Sequence, residues 1–173
     1  KPCDFHVHLR EGDLAKSVLK ENNKHFQKIL VMPNLSTPIT NSKLLKKYRK
    51  HILVNNKSSE ILFTLYLNHK CSLRDLDYMF KKSLFFSTKL YPLNATTNSS
   101  SGVQDIKKMS KYFEFLEKNE IPLCIHGEHV HHNDDPFERE KKFLDNELFW
   151  IMKNFNSLKI TLEHITTKDS VQF

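Results

Sequence analysis

The feature that most constrains this chain is a repeated alternation of short apolar runs with longer stretches of helical period. Residues 3–9, 29–34, 61–67, 84–91, 123–127 and 160–165 read as strands, and residues 14–25, 42–53, 73–82, 103–119 and 137–154 read as helices between them. Asn41-Ser42 and Ser72 supply start signals for the second and third helices. Ile121-Pro122 closes the fourth, because proline cannot continue a helix. The resulting β-α-β-α order implies a parallel sheet with crossover helices.

Two α/β architectures satisfy that order, an open doubly wound sheet and part of a (β/α)8 barrel. Glycine argues against the nucleotide-binding form of the first: only Gly12, Gly102 and Gly127 occur, and none forms a phosphate cradle. A whole barrel takes about 250 residues, so this chain is expected to hold about six βα units of an incomplete TIM-type barrel. No linker or repeat marks a boundary, so residues 1–173 are expected to form one partial domain, with 98–102 a mobile loop. The opening Lys1-Pro2-Cys3-Asp4-Phe5-His6 reads as a strand entered in mid-course, which suggests a piece of something longer.

Composition removes other classes. Three glycines, six prolines and thirteen phenylalanines in 173 residues exclude collagen-like, coiled-coil and disordered chains. No run approaches the ~18 apolar residues of a membrane span. The net charge of +7 could draw nucleic acid or an acidic ligand. Its lysines, however, come in scattered pairs, Lys46-Lys47, Lys81-Lys82, Lys107-Lys108 and Lys141-Lys142, as expected of solvated helix faces, and neither a nucleic-acid nor a membrane partner is expected. An odd number of cysteines without a CxxC pair points to the cytoplasm, with Cys3 and Cys124 as small core residues.

The chemistry lies in histidines at the ends of strands, where a parallel array converges its functional groups. His6 and His8 are two apart on an extended run and so face one side. His126 ends the fifth strand and His164 the sixth. A single histidine closing an apolar run is more often a bonded core or loop residue. Four of them at the exits of one βα array make a metal site the better reading. Lys89 lies inside an apolar strand, where a bare ammonium is costly to bury. Spacing leaves two readings of it open: it snorkels to solvent, or burial lowers its pKa and frees an amine that reacts with CO2 to give a metal-bridging carbamate. His129, His131 and His132 are expected to be solvated loop histidines, Glu128 is a candidate to orient a ligand imidazole, and Trp150 with residues 143–149 is expected in the core.

Five blocks, His6-Val7-His8-Leu9-Arg10, Val31-Met32-Pro33-Asn34-Leu35, Thr88-Lys89-Leu90-Tyr91-Pro92 with residues 94–99, Ile125-His126-Gly127-Glu128, and Glu163-His164-Ile165-Thr166-Thr167-Lys168-Asp169, together resemble the shorter, monofunctional dihydroorotases of the amidohydrolase superfamily. The resemblance implies a binuclear zinc site in a (β/α)8 barrel. His6 and His8 would hold the more buried ion, His126 and His164 the more exposed one, and carboxylated Lys89 would bridge them. Arg10 and Asn34 match the positions that grip a substrate carboxylate, and Thr96 and Thr97 match the tip of a loop closing over substrate. The implied reaction is the reversible cyclisation of N-carbamoyl-L-aspartate to L-dihydroorotate, with a homodimer as the implied assembly.

The family's proton-shuttling aspartate, from the eighth barrel strand, has no counterpart in these residues. Asp134, Asp135 and Asp169 lie elsewhere, so the 173 residues alone are expected to be catalytically incompetent. Two rivals stand beside the enzyme: a non-catalytic relative kept as an assembly partner, and a cyclic amidohydrolase of hydantoinase type. Retention of every family ligand within reach argues against the first. Arg10, Asn34 and the 94–99 loop, suited to an acidic substrate, argue against the second.

Overall fold

A computed structural model describes residues 1–131 and 133–173. Two compact units emerge, residues 1–66 with 70–87, and residues 67–69 with 88–173.

In the first unit, β1 (Cys3–Val7), β2 (Lys28–Val31) and β3 (Glu60–Leu67) lie side by side and parallel, with Ile29 opposite Ile61 and Val31 opposite Phe63. Helices α1 (Gly12–His25) and α2 (Ser42–Asn55) cross between them, and α3 (Leu73–Lys81) follows β3. Each helix buries one stripe: Ala15, Leu19 and Asn23 on α1, and Leu45, Tyr48 and Ile52 on α2. Asn41 caps α2 by accepting from Leu44 N at 3.0 Å, and Ser72 caps α3 through Asp75 N. Burying a side chain such as Leu19, Leu45 or Phe63 contributes about 1.5–3 kcal/mol. Cys3 departs from expectation: it is exposed, because β1 becomes buried only at Val7 and the following Leu9.

In the second unit, β4 (Ser87–Leu90), β5 (Leu123–His126) and β6 (Ile160–Glu163) are likewise parallel, with Lys89 opposite Cys124 and His126 opposite Glu163. The helix expected at 103–119 begins later. Val103 is still extended, bonded to Tyr91 O at 2.8 Å, so a 3-10 turn (Ile106–Met109) precedes α4 (Ser110–Lys118). The helix expected at 137–154 is broken into a 3-10 turn (Pro136–Glu138), α5 (Arg139–Phe143), a π turn (Leu144–Leu148) and α6 (Phe149–Asn154). The wider π turn shifts the apolar face, so Phe143, Leu144 and Leu148 are buried while Phe149, expected in the core, is 58% exposed. Trp150 is half-buried and meets the Phe155 ring edge-on at 5.9 Å. A short α7 (Lys168–Gln172) follows β6. The lysine pairs lie on outer faces as expected, with only Lys142 half-buried.

Candidate metal centre

In the first unit, β1 carries His6 and delivers His8 just beyond its end. Their Nε2 atoms approach to 3.1 Å. Two nitrogens bound tetrahedrally to one zinc at 2.0–2.1 Å stand about 3.3 Å apart, so this pair has the spacing of a shared cation. Asp4 Oδ1 accepts from His6 N at 3.0 Å and fixes the strand there. Two residues past His8, Arg10 takes a left-handed backbone, φ 64°, and Tyr48 holds it by donating to Arg10 O at 3.0 Å. The Arg10 guanidinium reaches Asn34 O at 3.4 Å, and Asn34 is buried. The two residues matched to carboxylate binding are thus neighbours.

In the second unit, Lys89 is fully buried, close to the Tyr91 ring at 5.1 Å, and paired with the Glu163 carboxylate. The snorkelling reading is therefore excluded. Burial pushes the Lys89 ammonium below the usual lysine range, and Glu163 pulls in the opposite direction. Glu163 was not singled out from sequence. Its signal is one acidic residue at the end of β6 matching one basic residue inside β4, both too apolar in context to hold a lone charge.

His126, at the end of β5, points its two ring nitrogens at different partners. Nδ1 lies 3.2 Å from His164 Nε2, and Nε2 lies 3.2 Å from Glu128 Oε1. The Glu128 contact is a close approach of charge and lies outside hydrogen-bond geometry. The 3.2 Å between His126 Nδ1 and His164 Nε2 is the spacing of two nitrogens on one zinc, so this donor set also fits zinc. Burial raises the Glu128 pKa, against a lowering by Arg139. His164 occupies the first position after β6 with φ 40°, a left-handed backbone uncommon for a side-chain-bearing residue.

Thr96 and Thr97 are both exposed on a loop closed by its own bonds, Thr96 N to Ser99 Oγ at 2.9 Å and Asn94 N to Ser99 O at 3.1 Å. His129, expected to be solvated, is half-buried and bonded through Nδ1 to Glu147 Oε1 at 2.7 Å. His131 is exposed, while His132 lies outside the described residues. Asp134 is engaged by Lys142 at 2.6 Å and Asp135 caps the 3-10 turn after it, which leaves both in structural roles. A further acidic residue absent from the sequence reading is Glu140 on α5, whose carboxylate accepts from Thr166, Thr167 and Ser170.

No family model matches the chain. It is 40% identical over 176 residues to a dihydroorotase of Buchnera aphidicola, covering all of this chain and 50% of that protein. Among solved structures, the Saccharomyces cerevisiae dihydroorotase in complex with 5-fluoroorotic acid superposes with a TM-score of 0.90 at 29% identity, over 99% of this chain and 49% of that one. An L-hydantoinase from Arthrobacter aurescens gives a TM-score of 0.80 at 14% identity, with 99% and 43% covered, a likeness of fold alone. The fold class is accordingly α/β, an incomplete (β/α)8 barrel. The chain spans about half the length of the curated relatives it matches, and over that span it is similar, in sequence and in fold, to dihydroorotase.

Proposed function

We propose that this chain is the metal-binding half of a dihydroorotase, which reversibly cyclises N-carbamoyl-L-aspartate to L-dihydroorotate. The single observation that carries the reading is the approach of His126 Nδ1 to His164 Nε2 at 3.2 Å, the spacing of two imidazole nitrogens on one ion. His6 and His8 would hold one zinc and His126 and His164 a second, with carboxylated Lys89 as a further anionic ligand.

When bound, such a pair supplies positive charge that polarises the ring amide carbonyl and lowers the pKa of water. Lys89 contributes a buried amine; burial pushes its pKa down while Glu163 pulls it up. Carboxylated, it would supply an anionic oxygen donor to the metal site. Arg10 presents a planar, permanently charged fork to the substrate carboxylate, and buried Asn34 adds a neutral amide beside it. Thr96 and Thr97 bring hydroxyls over the substrate and exclude bulk water. The substrate is a small acidic molecule, the protein is cytoplasmic, and its assembly is a homodimer.

Assay of the full-length protein tests this. Ring opening of dihydroorotate, no turnover of hydantoin, loss of activity on chelation and recovery with zinc are the expected results. Turnover of hydantoin alone would replace the reading with a hydantoinase, and a zinc-loaded protein inert to both would replace it with a non-catalytic partner.

A further inference from the structure

One broken helical segment serves both histidine-bearing loops of the second unit. After β5, His129 N donates to Arg139 O at 3.0 Å and the His129 ring bonds Glu147. After β6, the buried Glu140 gathers the next loop. Its Oε1 accepts from Thr166 N at 2.8 Å and Thr166 Oγ1 at 2.6 Å. Its Oε2 accepts from Thr167 N at 3.0 Å, Thr167 Oγ1 at 2.7 Å and Ser170 Oγ at 2.7 Å. Those donors begin two residues beyond His164, whose φ of 40° is unfavourable for a histidine. A residue keeps such a conformation only where its surroundings over-determine it. Upstream, Glu163 is held by Lys89, and downstream, Thr166 and Thr167 are held by Glu140, so the strained residue is fixed at both ends.

We propose that Glu140 is a positioning residue of the metal centre. Its carboxylate clamps residues 166–167 so that His164 keeps the left-handed backbone that turns Nε2 to within 3.2 Å of His126 Nδ1. Among the described residues the Glu140 carboxylate bonds no ligand imidazole, and its hydrogen bonds go to the loop. This rests on the reading that His126 and His164 hold a metal ion.

A role confined to folding would lower stability without distinguishing one ion from another. The test is therefore zinc competition against a chromophoric chelator, resolving both binding steps in the full-length protein, for wild type, Glu140→Gln, His164→Ala and His6→Ala, with circular dichroism as the check of folding. Glu140→Gln is expected to weaken, by about 10–100-fold, the same ion that His164→Ala weakens, and to leave the ion weakened by His6→Ala unchanged. A folded Glu140→Gln that binds both ions as wild type does, or loses both equally, overturns the positioning role alone. A wild type that binds no zinc overturns it together with the reading beneath it. Should Glu140→Gln fail to fold, Thr166→Val, which deletes one hydroxyl donor, is judged by the same outcomes.

Discussion

Replacing Glu140 with glutamine isolates the stability held in one carboxylate. Burial opposes its charge, yet hydrogen bonds from Thr166, Thr167 and Ser170 outweigh burial and hold its pKa down to about 2, from 4.5. A folded-state pKa below the unfolded value stabilises the fold above the unfolded pKa, and that stability drains away as pH falls from 4.5 towards 2. At ~1.36 kcal/mol per pKa unit the shift sets a ceiling of about 3 kcal/mol, and solvent screening reduces it to about 1–2 kcal/mol. More than half of that should be gone by about pH 3. Urea denaturation of wild type and Glu140→Gln at several values between pH 7 and pH 3 measures it, and carboxylates common to both proteins cancel in the difference. A stability gap at pH 7 that narrows towards pH 3 supports the reasoning. A gap independent of pH would refute it, because the stabilisation would then not depend on the charge.

Lys89→Met removes the buried cation facing Glu163 and should destabilise the metal-free protein, while Lys89→Met with Glu163→Gln should recover part of the loss. A double-mutant cycle by chemical denaturation should give a coupling of about 1–3 kcal/mol, and strict additivity would contradict the pairing. Gly102→Ala places a Cβ 2.6 Å from Pro92 O and 2.7 Å from Tyr91 O, both backbone atoms. It should cost about 1–3 kcal/mol, read as a lowered Tm, and an unchanged Tm would mean that the loop root yields freely. If zinc binds the folded state, saturating it at about 1,000 times its Kd should add about 4 kcal/mol, visible as a raised Tm, and His126→Ala should shrink that gain.

The strands and the histidines at their ends were legible because both are local signals. An apolar run of four to eight residues bounded by polar turns needs no partner to be recognised, and β1, β5 and β6 begin where that reading puts them. The His6/His8 spacing likewise carries its own geometry. Lys89 was legible as an anomaly and illegible as a contact, since Glu163 is 74 residues away. Glu140 gave no signal at all: it sits in the charged stretch Arg139-Glu140-Lys141-Lys142, which reads as solvated surface, and its partners follow 26 to 30 residues later. The π turn was hidden for a related reason: it changes which residues are buried, Leu144 and Leu148 among them, and periodicity counted at 3.6 residues per turn passes over it.

The left-handed non-glycine backbones at Arg10, Ser83, Asn94, Asn98, Glu120 and His164 divide in an instructive way. On the 94–98 loop the job falls to asparagine, a side chain at ease there. Ser83 and Glu120 lie just past the ends of α3 and α4, where a left-handed residue commonly closes a helix. A library of this chain screened for thermal endurance, blind to chemistry, should drift towards glycine or asparagine at positions 10, 83, 120 and 164. Zinc affinity should survive the change at the two helix ends and suffer at position 164, which separates a fold's routine needs from what the molecule was shaped to do.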